Sequence, residues 1–575
     1  MPASDQKYTV ACNGGPQERA FGVAIAKEFG LPSQVGEILY SRDINTLDKA
    51  EEFLHPQLAM LPAPEKMKGM HEAVACIIAA CNDNQPIFIH GDYDVDGISA
   101  TALLVSFFLE LNRQTFFYIP NRLQENYGLS IKSIDRLVAQ CPNRGGVLIS
   151  VDCGISAVEE VVYARQLGLR VVITDHHEPR GMLPEADALI DPKQPGCTFP
   201  YDALSGVGVA FYLLMALRKA MGIRLNLKQH LDLVALGTVA DVMPLTGINR
   251  ILVRAGLEVL SATHRLGLRS LYSCSALEKR AILSEDIAFK LAPRINAAGR
   301  LGNPEIGVAL LLAKDRSDGQ SAADALEQMN RVRKQLETQK LMAAEAICQE
   351  QVRAGNNGLI VYQPDCHAGV LGILASRLVE RHQRPVLVFA DDCKDRAGET
   401  IKGSGRSVKG VNLFQVLACC DQTIEQFGGH AMAVGLTIKR NNLERFASIF
   451  NHQISMLKCN MHDSNQIMAD YRLPDASMLT AHLAHAVQWL QPFGESNPEP
   501  IFLLERQRLL ASKKKNGHLI FQLQGQDQVF PGIGFHLAHP LLDTAQQTDV
   551  LFQLKRSWFR GVERSQVHAL MLATS

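Results

Sequence analysis

Between Gln85 and Leu245, short apolar runs alternate with longer stretches whose apolar positions recur at helical spacing. "PIFIH" precedes "ISATALLVSFFLELNR", "TFFYIP" precedes a helical pattern around Ser130–Ala139, and "GVLISVD" precedes "SAVEEVVYARQLG". "RVVIT" follows, and "ADALID" leads into "GVGVAFYLLMALRKAM". Apolar strands alternating with amphipathic helices predict a parallel sheet covered on both faces. From Gln320 to Ala354 there is neither Pro nor Gly, and helix formers dominate. That stretch predicts one long helix bridging two domains. A second α/β pattern follows: "GLIVY", a helix across Gly369–Arg381, "PVLVF", "AVGLTI" and another helix. The end differs. "IFLLERQRLLASKKKNGHLIFQLQG" reads as two strands around an Asn516–Gly517 turn, and "DVLFQLKRSWFRG" with "SQVHALML" continues a meander. Such a pattern predicts a small barrel.

A chain of 575 residues is too long for one core, and roughly three to four domains are expected. With 47% hydrophobic and 20% charged residues, it falls among ordinary globular proteins rather than disordered or fibrous ones. No apolar run approaches a membrane span, and "MPASDQKYTVAC" has no signal-like core. The 13 cysteines include Cys419–Cys420 but no CxxC, which argues against zinc spacing and a secreted disulfide framework. A cytoplasmic location is expected. The net charge of −1 gives no global attraction to nucleic acid or membrane, so any polyanion site must be local. Pro500–Ser575 is such a locality, with nine Lys/Arg against five Asp/Glu.

The chemistry gathers at strand ends. His90, Asp92, Asp94 and Asp96 crowd into "HGDYDVDG". The run Asp92-x-Asp94-x-Asp96-Gly97 matches the start of a calcium loop, but position 12 would be Leu103 and a strand precedes it, so that reading fails. Extended backbone would point Asp92, Asp94 and Asp96 the same way. "LISVDCG" places Asp152 at a strand end, "VVITDHHEP" places Asp175, His176 and His177 at the next, and "ALGTVADVMPL" offers Asp241 at another. Ligand sites of open α/β sheets form in this crevice, so distant residues converge. An isolated Asp at such a turn is commonly a helix cap, but four such elements in one segment indicate a metal site. Carboxylates and imidazoles without thiolates suit manganese or magnesium. Two such ions would activate a water and neutralise a phosphoryl transition state.

These motifs together resemble the DHH phosphoesterase superfamily and, within it, the RecJ family of single-strand-specific 5′→3′ DNA exonucleases. "IPNRLQENYGLS", "PRINAAGRLGNP", "CHAGVLGILASRLVERHQRPVLVF", "GSGRS", "GGHAMAVGLTI" and "PFGESNPEP" extend the resemblance along nearly the whole chain, in the family order. Asn126 and Ser496 stand where the family pattern has Gly, and Cys366 where it has Trp. The resemblance implies that His90, Asp94 and Asp152 hold one divalent ion, Mn²⁺ or Mg²⁺. Asp96, Asp152, His176 and Asp241 would hold a second, with Asp152 as the bridge. It implies that His177 meets the scissile phosphate or protonates the leaving oxygen, while Asp92 and Asp175 orient ligands. Ser404, Arg406 and His430 resemble a pocket for the 5′-terminal phosphate, and Arg122, Arg294, Asn296 and Arg300 resemble the lining of the strand's path. Arg294 and Arg300 could equally serve as salt-bridge partners. His367 matches the family without a defined role.

The expected architecture is α/β: a parallel-sheet DHH domain at 81–315, a connecting helix at 316–355, a second α/β DHH-associated domain at 356–460 and an OB-like β-barrel at 461–575. Residues 1–80 are expected to pack on the catalytic core. The expected activity is in-line hydrolysis of single-stranded DNA from its 5′ end, releasing 5′-mononucleotides, in DNA repair and recombination. A monomer cooperating with a single-strand-binding protein and a helicase is the expected context, without membrane. Two alternatives are a DHH phosphodiesterase of oligoribonucleotides or cyclic dinucleotides, and a non-catalytic nucleic-acid-binding relative. The appended barrel argues against the first, and the complete ligand set against the second. No GxxxxGK[ST] occurs, which argues against an ATP-driven helicase.

Overall fold

The computed structural model describes residues 8–457, apart from 13, 123–124, 126–127, 143–144, 180, 278–280, 393 and 396, and residues 467–574, apart from 516, 538–546 and 560–561. Asn126 and Asn516 lie outside the described residues, as do the side chains of Lys513–Lys515. The chain divides into two compact units: Pro62–Met243 with Ala255–Ser464, and Met1–Leu61 with Pro244–Arg254 and Asn465–Ser575.

The first unit opens with five parallel strands, β1 (Ile87–His90), β2 (Thr115–Tyr118), β3 (Gly146–Val151), β4 (Leu169–Thr174) and β5 (Ala188–Ile190). Their order is β2-β1-β3-β4-β5. β1 and β3 are buried along their whole length, as apolar runs covered on both faces must be. The order reverses between β1 and β3, and the loops leaving those two strands carry Asp92, Asp94 and Asp152. That is the switch point of a doubly wound sheet, where a crevice opens. Helices α1 (Val95–Glu110), α2 (Gly206–Ala220) and α3 (Leu231–Ala240) pack around this end. α4 (Ala292–Leu301) leads to α5 (Arg316–Arg353), a helix of 38 residues. Gly319, Ala323, Leu326, Asn330, Glu337, Ala344 and Cys348 form its buried stripe at helical spacing.

Beyond α5 lies a mixed sheet of β6 (Leu359–Tyr362), β7 (Val386–Asp391), β8 (Thr400–Arg406), β9 (Gln426–Gly429) and β10 (Ala433–Lys439). Its order is β9-β10-β8-β7-β6, with only β6 and β7 parallel. Burial alternates strictly along β8: Ile401, Gly403 and Gly405 face the core, and Lys402, Ser404 and Arg406 face away. Helix α6 (Leu371–His382) packs beside β8. His367 accepts a hydrogen bond from Gly369 N at 3.1 Å, capping the turn that leads into α6.

The second unit holds a seven-stranded sheet running, edge to edge, through Tyr471–Leu473, Phe502–Gln507, Thr548–Phe559, Val562–Thr574, Val529–Gly534, His518–Gln524 and Ala511–Lys515. The stretch read as two strands around Asn516–Gly517 contains three, because pairing breaks between Gln507 and Ala511. The expectation for residues 1–80 is corrected here. Phe21, Ile25, Val35 and Ile38 share one core with Phe502, Phe521, Phe530 and Phe552. Tyr8–Val10 also pairs with Ile467–Ala469, and Arg42 meets Asp470 at 2.7 Å. The apolar faces of these N-terminal helices therefore cover the C-terminal sheet; only from Pro62 onward does the chain join the first unit. Ser496 takes φ 57°, the left-handed conformation that favours Gly. Among the described residues, no helix is long and apolar enough to cross a membrane.

Candidate active site

Asp94 keeps an extended backbone but ends the run, as the N-cap of α1. Its Oδ1 accepts hydrogen bonds from Asp96 N at 2.9 Å and Gly97 N at 3.1 Å, capping α1. Asp96 consequently rides on the first turn of that helix. There its two oxygens accept from Gly206 N at 2.6 Å and Val207 N at 2.9 Å, the positive end of α2. Asp152 leaves β3 with φ 61°, a strained conformation tolerated best by Asp and Asn among side-chain-bearing residues and frequent at functional sites. Asp241 sits at the C-terminus of α3 rather than at a strand end, because "ALGTVA" is buried all round as a helix. Only Gly fits at 206 and 237: a Cβ at Gly206 would meet Asp152 Oδ1 at 2.7 Å, and one at Gly237 would meet Asp96 Oδ1 at 2.5 Å.

These elements bring three overlapping groups together, each with ligand atoms within 4.8 Å of one another: Asp92, Asp94 and Asp152; Asp96, His176 and Asp241; Asp152, His176 and His177. His176 Nε2 lies 3.0 Å from Asp152, 3.6 Å from Asp241 and 3.9 Å from Asp96. His90 is fully buried nearby but joins none of the three. Its Nε2 lies 2.9 Å from Ser133 Oγ and its Nδ1 3.6 Å from Cys153 Sγ. Asp175 is a hub: its carboxylate accepts from the backbone of Ile155, His176 and His177 and from His177 Nδ1 at 2.7 Å.

So many acids in one buried place cannot all ionise unaided. Burial, and then the charges of neighbouring carboxylates, holds Asp92, Asp152 and Asp241 well above the usual carboxylate range. The same causes push Asp96 up to about 7. Burial, and then His177, pushes His176 down to about 3, and burial pushes His90 down to about 4. His177 goes the other way: burial opposes its charge, but the hydrogen bond and charge of Asp175 push it up to about 9. Asp175 is likewise opposed by burial and held below the usual range by His177. Among the described residues, Asp92 Oδ1, His176 Nδ1 and Asp241 Oδ2 are buried without a hydrogen-bond partner. An anionic set with orphaned oxygens and neutral imidazoles fits hard divalent cations.

Beside the cluster, Arg122 lies over the Tyr93 ring at 5.2 Å. Burial, and then Arg122, Arg333 and Arg406, push Arg300 down to about 10, and burial and then Arg122 lower Arg406. The exposed Arg122 and the half-buried Arg300 and Arg406 thus form a cationic group suited to a polyanion. Arg406 Nη1 donates to Gly405 O at 2.8 Å and to Ser404 Oγ at 3.4 Å. Arg294 pairs with Glu327 at 2.7 Å. Asn296 is half-buried on α4, a helix so close to the first motif that a Cβ on Gly299 would meet Tyr93 O at 2.6 Å. A cleft of about 850 Å³ runs between Asp175 and His177 on one side and Gly428, Gly435 and His430 on the other. Tyr93, Glu125 and Lys402 also line it. Sequence reasoning missed all three, although Tyr93 lies between two of the aspartates and Lys402 shares the alternation of Ser404 and Arg406.

Comparison with known proteins matches residues 86–238 to the DHH family N-terminal domain, 355–456 to the DHHA1 domain and 469–570 to the RecJ OB domain. The chain is 35% identical over 519 residues to the single-stranded-DNA-specific exonuclease RecJ of Bacillus subtilis, a match over 89% of this chain and 64% of that protein. The chain thus spans less than two thirds of that relative. It is 35% identical to the protein of the same name from Escherichia coli, over 93% of this chain and 95% of that one. The crystal structure of RecJ in complex with Mn²⁺ from Thermus thermophilus superposes with a TM-score of 0.83 at 27% identity, covering 98% of this chain and 79% of that one.

Proposed function

The chain belongs to the RecJ family of DHH proteins, and on that premise we propose that it degrades single-stranded DNA from the 5′ end, releasing 5′-mononucleotides, with two Mn²⁺ or Mg²⁺ ions as cofactors. The observation that carries this reading is the buried aspartate–histidine cluster at the β1/β3 switch point. In the proposal His90, Asp94 and Asp152 hold one ion, and Asp96, Asp152, His176 and Asp241 the other. His90 has a second ring nitrogen, Nδ1, beside the Nε2 that meets Ser133, so one nitrogen can ligate while the other keeps a hydrogen bond. Bound ions would supply the positive charge that lets these carboxylates ionise together, lower the pKa of a coordinated water and offset charge on the phosphoryl oxygens.

The chain's own residues do the rest. Asp175 holds His177 by Nδ1 and keeps the ring protonated, so Nε2 faces the cleft as a proton donor for the leaving 3′-oxygen. Asp92 orients the ligand shell. Ser404, Arg406 and His430 hold the 5′-terminal phosphate, with Arg122 and Arg300 adding charge along the strand's path. Asn296 and Arg294 are candidate contacts to the strand, Arg294 also pairing with Glu327. Residues 81–315 and 356–460 act as catalytic and substrate domains joined by 316–355, and 461–575 tracks longer strands. The RecJ OB match at 469–570 favours a polymeric substrate over small dinucleotides. The proposal extends to a monomer in the cytoplasm, supplied with strands by a helicase and a single-strand-binding protein in repair and recombination.

The test is degradation of 5′-labelled single strands, duplexes and RNA with Mn²⁺, Mg²⁺ or EDTA. Rapid release of labelled mononucleotide from single-stranded DNA only, abolished by EDTA, supports the reading. Equal cleavage of duplex, or activity in EDTA, overturns it.

A further inference from the structure

Strand interiors rarely keep Gly, because it packs nothing there; where it persists, a ligand or another backbone often comes close. In the second sheet Gly428 of β9 sits opposite Gly435 of β10. A Cβ built on either meets nothing within 4 Å, and neither has a positive φ. The fold therefore does not need these glycines, and both open on the cleft. The strand register borders this bare floor with polar side chains. Ser404 is opposite Gly435, and one row further along the same face Lys402, Thr437 and Gln426 line up across β8, β10 and β9. A second observation points to a ligand. Glu125, lining the same cleft, is only 7% exposed. Tyr118 and Arg136 both bond its Oε1, at 2.7 Å each. Among the described residues its Oε2 is buried without a partner, an acceptor left for an N–H donor.

We propose that the Gly428–Gly435 floor seats the nucleoside of the 5′-terminal nucleotide, with Lys402, Thr437 and Gln426 along its edge and Glu125 receiving an N–H of the base. This rests on the reading that Ser404 and Arg406 hold the terminal phosphate, and it adds what lies next to that phosphate. A flat sugar–base unit fits a floor bare of side chains. The carboxamide of Gln426, both donor and acceptor, can pair with any base edge, so the seat measures the presence of a nucleoside more than its identity.

The test measures anisotropy of short, 3′-labelled, 5′-phosphorylated oligodeoxynucleotides binding the full chain in EDTA, with an intact or an abasic first position. The wild type should bind the intact form roughly tenfold more tightly, the size of a lost base contact. Gly435→Val places a β-branched side chain on the floor where the fold has space. It should melt no lower than wild type and bind the intact form roughly tenfold more weakly. Gln426→Ala, at an exposed position, should narrow the intact-to-abasic ratio. Undiminished binding by Gly435→Val, or an unchanged ratio in Gln426→Ala, overturns the nucleoside seat. Loss of the wild type's preference for 5′-phosphate over 5′-hydroxyl strands would instead overturn the phosphate reading, and the two comparisons are independent.

Discussion

His177 Nδ1 lies 2.7 Å from Asp175 Oδ1, and the same carboxylate accepts the backbone N–H groups of Ile155, His176 and His177. One side chain thus fixes both the ring orientation of His177 and the path of the histidine pair. Asp175→Asn should lower kcat by about a hundredfold, the usual worth of a positioned proton donor. A proton donor works below its pKa, so wild-type activity should fall as pH rises through about 9, where His177 is held. In the variant that limb should move toward the ordinary histidine value of about 6.5. A pH–rate profile of both proteins checks this.

The acids of the cluster are protonated more readily than free aspartates, with Asp96 at about 7. A divalent ion requires them deprotonated, so binding should release protons and the apparent affinity should weaken on acidification. The expected slope between pH 8 and 6 is about tenfold per pH unit for each proton released. Titration calorimetry of Mn²⁺ in buffers of different ionisation enthalpy gives both numbers. No proton release would mean that the carboxylates are already ionised.

Arg406→Ala should raise the apparent KM for 5′-phosphorylated strands about ten- to a hundredfold, the worth of a charge-assisted contact of roughly 1.5–3 kcal/mol. Strands ending in 5′-hydroxyl should suffer much less, and metal content should not change. Equal damage with both substrates would make Arg406 a structural residue.

Arg250 is 2% exposed. It donates to the carbonyls of Phe53, Trp489 and Leu490, with its guanidinium 3.6 Å from the Phe53 ring centroid. Arg250→Ala removes the partner of one buried and two part-buried carbonyls and opens a cavity, so it should cost the second unit roughly 3–5 kcal/mol. Denaturant unfolding followed through the fluorescence of Trp489 and Trp558, both in that unit, reads that loss directly.

The strand-end motifs were legible because apolar runs mark β1, β3 and β4, and ligand-bearing loops of such sheets share one edge. Helix α5 was legible from composition alone. What escaped depends on contacts that no local pattern encodes. Arg42 and Asp470 meet across 428 residues, so the N-terminal helices could not be assigned to the C-terminal sheet. Asp96 looked like one more extended residue, but the cap made by Asp94 turns it onto α1. Asp241 looked like a strand end because a helix buried all round shows no amphipathic period. Arg294 matched the family's substrate path, yet Glu327 had to be located in space to show its other partner.

The central claim is that Asp152 bridges the cofactors of a nuclease. Asp152→Asn is the direct test, since Asn tolerates the φ of 61° found there while removing the charge. Metal content by equilibrium dialysis and release of 5′-mononucleotides should be measured on the same folded sample. The account predicts weakened Mn²⁺ binding and a rate at least about a hundredfold lower, as a barrier raised by a few kcal/mol requires. Near-normal release with undiminished metal content would contradict it.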